Sequence, residues 1–253
     1  MLFRSSDDLF LGPAQTYMGT NSNSNLGDPS PMDLGVGPVG RVYVWDTVPL
    51  TKGAANIAAA SAYTSTITLT AGTGVTSVTR SDGVTALQVD VPRALSITIG
   101  AGTITNRNVT ITGYDYYGQA MSEVIATGTT QSTTVEGKKA FYQVISASVS
   151  GSVGATVSIG TTDIFGAPVK FANKGYISRC GWNDTLAENA ATVVVGDATT
   201  ATTTTGDVRG TVAPSSAADG SKRLVVGILL TAIQVGPNAT RAGALGVNQN
   251  LVS

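Results

Sequence analysis

The sequence predicts an all-β protein: a β-sandwich or jelly-roll-like body with an extended N-terminal arm and a C-terminal tail. Three observations carry that expectation. Short runs alternating apolar and polar residues recur through the middle of the chain, separated by Gly, Asp and Asn turns, which is the spacing of sandwiches and barrels. The 253 residues are 42% hydrophobic with a mean hydropathy of +0.17, so the chain can bury a core as one large β domain or two smaller ones. Charged residues make up only 12%, about half the share of an ordinary soluble domain, and Thr, Ser, Gly and Ala take their place. A Thr- and Ser-rich surface suits flat β faces and protein contacts.

Residues 1–40 hold no sustained period and carry NSNSN with Pro29, Pro31 and Pro38 among glycines. Such a segment loses too much conformational entropy to pack alone, so it is expected to order only along another surface. From Arg41 the run RVYVWDTV alternates as a strand does. GAANIAAASA after it reads as a short helix. YTSTITLT then places Ile67 and Leu69 on one face. VTALQVDV, ALSITI, NVTITGY, AMSEVIA, FYQVISASV and ATVSI follow as strands. Between NVTITGY and AMSEVIA a hairpin is expected, with Asp115 opening the turn and Gly118 supplying a positive φ. Glu123 falls between Met121 and Ile125 and faces outward only if a bulge shifts the register. Beyond Gly166, GYISRCGW and ATVVVG read as strands, and residues 197–223 as a long exposed loop or flap. RLVVGILLTAIQV is the strongest buried strand, or two strands broken at Gly227. The body therefore spans 41–235, as one unit or as two β subdomains, 41–166 and 167–235, and the tail spans 236–253. No repeat of fixed period appears.

Charge and cysteine usage narrow the function. The net charge is −1 and the sequence pI about 5.3, with Lys and Arg scattered. Phosphate neutralisation needs a clustered basic face, so no nucleic-acid partner is expected. Cys180 is the one cysteine, which rules out an intrachain disulfide, fits folding in a reducing cytoplasm and reads as a small buried apolar residue. The apolar run from Leu224 to Val235 is far shorter than a membrane helix needs, and Asp7 and Asp8 interrupt the place of a signal-peptide core. No membrane partner follows. With no histidine, the Ser-His-Asp and Cys-His arrangements are unavailable, and so is the commonest metal ligand. The G-x-G-x-x-G match at Gly35, Gly37 and Gly40 precedes a strand and contains Pro38, so it lacks the helix N-terminus that binds pyrophosphate. Neither an enzyme, a cofactor nor a metal site is expected, although the sixteen carboxylates leave a two-carboxylate glycosidase as a formal alternative.

Three stretches carry a resemblance. Val109–Gly118 (VTITGYDYYG), Gly137–Phe141 (GKKAF) and Val157–Pro168 (VSIGTTDIFGAP) resemble segments of virion structural proteins of tailed bacteriophages. Tyr114 stands before Asp115 where the related pattern usually has Thr or a similar residue. The resemblance implies a β-sandwich that decorates a capsid as a cement protein. Its implied partner is the phage major capsid protein. The small charged fraction, Thr-rich faces and unpatterned termini point separately to a symmetric oligomer, a homotrimer, that completes its burial at interfaces. The location that the resemblance implies is the capsid exterior of a virion assembled in the host cytoplasm. Another particle component (tail, collar or head-fibre base) and a carbohydrate-binding β-sandwich adhesin are the alternatives. Tyr114, Tyr116 and Tyr117 either anchor a partner or cover one end of the sandwich. Trp45 and Trp182 are the aromatics an adhesin groove would use.

Overall fold

The computed structural model describes residues 39–171, 173–183, 191–197 and 206–231. The arm lies outside them except for Val39 and Gly40, which already belong to the first strand, and so does the whole tail.

Thirteen strands and one 3-10 turn, Lys174–Tyr176, make up the described elements, so the fold is all-β. Its sheets are antiparallel and curled in a sandwich-like arrangement. In chain order the strands are β1 Val39–Thr47, β2 Ala58–Ser61, β3 Thr66–Ile67, β4 Val75–Thr79, β5 Thr85–Ile99, β6 Asn108–Tyr114 and β7 Ala120–Ala126. They continue as β8 Thr133–Val149, β9 Val157–Gly166, β10 Ile177–Trp182, β11 Thr192–Val195, β12 Gly210–Ala213 and β13 Leu224–Thr231. The large sheet runs β11-β12-β9-β5-β8-β6-β7, with β2 on β9, β3 on β8 and β4 on β5; a small sheet runs β1-β13-β10.

Period-two alternation forms these strands and one face of each is buried. In β6, Val109 and Ile111 point inward between half-exposed threonines, and β7 repeats the pattern with Met121 and Ile125. Together with Leu95, Ile97, Ile99, Phe141 and Ile159 they form the core of the large sheet. Each such side chain contributes roughly 1.5–3 kcal/mol by burial. A second core of Phe165, Val169, Phe171, Cys180, Trp182, Leu224, Val226 and Ile228 lies between the small sheet and one end of the large one. Trp45 of β1 packs on it. The two cores therefore do not part at residue 166, because the second recruits the N-terminal strand β1.

Several local expectations are corrected. GAANIAAASA forms bends and then β2, because Ile57 and Ala58 are buried against β9 rather than on a helical stripe. VTALQVDV and ALSITI are one strand, β5, running through Pro92. The register with β8 jumps there, from Gln88↔Gln143 to Arg93↔Phe141, so the missing proline N–H falls in a gap of the ladder. The segment 197–223 is not simply an exposed loop: Asp207, Val208 and Arg209 are buried and β12 joins the large sheet through Thr211↔Gly166. β13 continues unbroken through Gly227 as the middle strand of the small sheet.

Candidate interaction site

The β6–β7 turn is fixed by one side chain. Asp115 Oδ1 accepts from the backbone N–H groups of Tyr117 (2.9 Å) and Gln119 (2.8 Å), while Gly118 N–H donates to the Asp115 carbonyl at 3.1 Å. Gly118 takes φ +76°, which the absence of a Cβ permits. The other carboxylate oxygen, Oδ2, pairs with Arg209 Nη1 at 2.7 Å, and both side chains are buried. Arg209 also donates from Nε to the Ala167 carbonyl at 3.2 Å. One guanidinium thus ties the hairpin to the end of β9.

Behind this pair lies a bulge in β8. The register with β5 passes from Ala94↔Ala140 to Ser96↔Glu136, which leaves surplus residues and unpaired N–H groups on β8. Buried carboxylates take them. Glu123 Oε1 accepts from Lys138 N–H at 2.6 Å and Oε2 from Lys139 N–H at 3.4 Å, while Asp207 Oδ2 accepts from Ala140 N–H at 3.0 Å. Asp207 Oδ1 accepts from the N–H groups of Arg209 and Gly210. Glu123 therefore points inward: the bulge that receives it is on β8, and β6 and β7 pair without a shift. Burial pushes the Glu123 carboxyl above its ordinary range, against the pull of the Lys138 and Lys139 N–H groups. Asp207 is also raised by burial, against Arg209 and the backbone donors, and Lys139 is lowered by burial, against attraction to Glu123 and Asp207.

On the outer side of this network the tyrosines separate. The Tyr114 ring is covered by the Arg80 guanidinium, 3.5 Å from its centroid. Tyr117 is 40% exposed, donates its hydroxyl to the Pro168 carbonyl at 2.6 Å and has Arg209 5.2 Å from its ring. Tyr116 is 49% exposed and meets Tyr117 and Tyr142 edge-on, with centroids 5.3 Å apart in both pairs. Next to it a cleft of about 420 Å³ opens between β1 and the large sheet. Tyr43, Trp45, Tyr116 and Tyr142 supply its rings, and Asp46 and Asp90 its charges. Residues 43–47 all reach the cleft, as an edge strand allows.

Of the five aromatics singled out in the sequence, Trp45 and Tyr116 come together in this cleft and Tyr117 adjoins it. Tyr114 is masked by Arg80. Trp182 is 3% exposed and belongs to the second core, so it offers no surface to a glycan. Its partner positions explain this: Cys180 and Trp182 share the face of β10 that packs with β13 side chains. Sequence reading missed Tyr43, Tyr142, Asp46 and Asp90. Tyr43 could have been found from the i, i+2 relation to Trp45; the others converge only through sheet pairing.

Searches against protein-family models, curated proteins and solved structures found no match. The site therefore has to be read from its own chemistry. Among the described residues no group of three or more Cys, Asp or Glu is placed to hold a metal ion. Buried carboxylates here are bound to backbone N–H groups and guanidinium. The arrangement braces a surface made of inclined aromatic rings and two carboxylates.

Proposed function

We propose that this chain is a structural protein of a tailed-phage particle, binding the outside of the capsid shell as a decoration protein and bridging neighbouring major capsid subunits. One observation carries the reading. The three stretches that resemble virion structural proteins, separate in sequence, meet around the buried Asp115–Arg209 pair and hold up the exposed end formed by Tyr116 and Tyr117. Gly137–Phe141 supplies the bulge, and Val157–Pro168 supplies the carbonyls of Ala167 and Pro168 that take Arg209 and Tyr117. Rigid, partly exposed tyrosines give large contact area at small entropic cost, as binding surfaces need. The role is that of a binding scaffold and not of an enzyme.

The test is a side-chain-resolution reconstruction of purified particles. Density for the chain on the outer shell, with the Tyr116 end against capsid subunits, is the expected result. Density in the tail or the interior would overturn the decoration role, and absence from purified virions would overturn the virion role altogether.

A further inference from the structure

We propose that the cleft between β1 and the hairpin tip captures a positively charged side chain, a lysine or arginine presented by a partner protein. The hairpin itself shows the chemistry. Two of its three tyrosines already carry a guanidinium of this chain, Arg80 on Tyr114 and Arg209 by Tyr117. Tyr116 carries none among the described residues and is the most exposed of the three. Its ring meets Tyr142 at 67°, so with Tyr43 and Trp45 the rings lining the cleft include inclined faces rather than one flat platform. Ring faces attract cations through their quadrupole, and a guanidinium or ammonium can use several at once.

The charges of the cleft point the same way. Among the described residues Asp46 and Asp90 are its charged lining residues, and neither Lys nor Arg lines it. Asp46 meets Arg223 through Oδ1 at 3.3 Å, a half-exposed pair open to competition by solvent. Asp90 uses Oδ2 for both the Leu50 N–H and Arg93. The second oxygen of each carboxylate has no bond among the described residues, so two acceptors remain for an incoming donor fork. The volume of about 420 Å³ admits a guanidinium with its aliphatic stem. A neutral pyranose fits less well, since it stacks on an open flat ring and needs matched donors as well as acceptors. The inference rests on the proposed function only for the source of the side chain, a shell subunit.

Saturation-transfer NMR on the full chain tests it, with Nα-acetyl-arginine amide and Nα-acetyl-lysine amide as probes. Nα-acetyl-citrulline amide serves as the uncharged isostere and maltotriose as the glycan. Saturable binding of both cationic amides is expected, weakened about two- to fivefold in citrulline, the factor that an exposed cation–π contact provides. Asp46→Asn and Tyr116→Leu, both at exposed positions, should each weaken the cationic probes by a similar factor with unchanged thermal midpoint. Equal binding of citrulline, no saturable binding of either cationic amide, or maltotriose competing at the same site would overturn the proposal. Arginine binding by a protein that never appears on particles would overturn the decoration role and leave the cleft assignment standing. A protein found on the shell that ignores every cationic probe would overturn the cleft assignment alone.

Discussion

Asp115 performs two tasks with its two oxygens, closing a turn with one and neutralising a buried arginine with the other. Removing its charge takes from the buried Arg209 its carboxylate partner on the hairpin. Asp115→Asn should therefore cost about 3–5 kcal/mol, read as a lower urea midpoint at unchanged slope. The combined Asp115→Asn/Arg209→Met variant should recover part of that loss, because the buried guanidinium is removed together with the carboxylate it paired with. Glu123 gives a pH test. Its carboxyl is raised above the ordinary 4.5, and that of Asp207 above 3.8, so the fold binds these protons more tightly than the unfolded chain does. Their stabilising contribution is complete below the unfolded values and is lost as pH rises through the raised ones. Stability should thus increase as pH falls from 7 towards 5. Asp219 acts in the opposite sense, but it is held at about 2 by the Lys222 and Ser221 N–H groups, so its contribution is lost only at lower pH. Glu123→Gln should flatten the increase, measured as the urea midpoint at pH 7 and pH 5.

At the scale of elements, bulges organise the site, and glycines mark where they fit. A Cβ on Gly137 would lie 2.5 Å from Glu123 Oε2 and 3.0 Å from the Leu95 carbonyl. Gly137→Ala should displace that carboxylate from the Lys138 N–H and cost about 1–3 kcal/mol in chemical denaturation. The β6–β7 hairpin was legible in the sequence because its signals are local: alternation on both strands, Asp115 at the turn and Gly118 where φ is positive. The inward Glu123 was not, since its acceptors' partners lie on β8, fifteen residues or more along the chain. β4 and β12 escaped for a different reason. Each is short, and the Thr-, Ser- and Gly-rich sequence around it looks the same in a strand and in a loop. The burial of Trp182 also depended on distant residues of the second core, among them Phe165, Phe171 and Leu224, its register partner on β13. Of the candidate site, then, the tyrosines could be read locally, whereas the cleft and its two aspartates exist only once β1 reaches the large sheet.

The whole molecule ends in strands whose outer edges have no partner among the described residues: β1 at the border of the small sheet, β7 and β11 at the two ends of the large one. Each displays an exposed valine, Val44, Val124 and Val194 respectively. Exposed edges are commonly blunted by lysine, proline or an inward-pointing charge, because an open row of N–H and C=O groups invites pairing. On β7 the one charge is Glu123, and it is consumed by the β8 bulge; β11 reads Thr-Val-Val-Val and carries none. Such edges favour pairing with a further strand, and we expect it to come from another copy of this chain. Val124→Lys places a solvated charge on the β7 edge while leaving its inward neighbours Met121, Glu123 and Ile125 in place. Light scattering at micromolar concentration should then show the oligomer shifting towards monomer, with the thermal midpoint of the monomer within about 0.5 kcal/mol of the parent in free-energy terms, as for an exposed substitution. An oligomer that keeps its mass would exclude β7 from the contact, and a parent chain that is strictly monomeric would exclude the assembly itself.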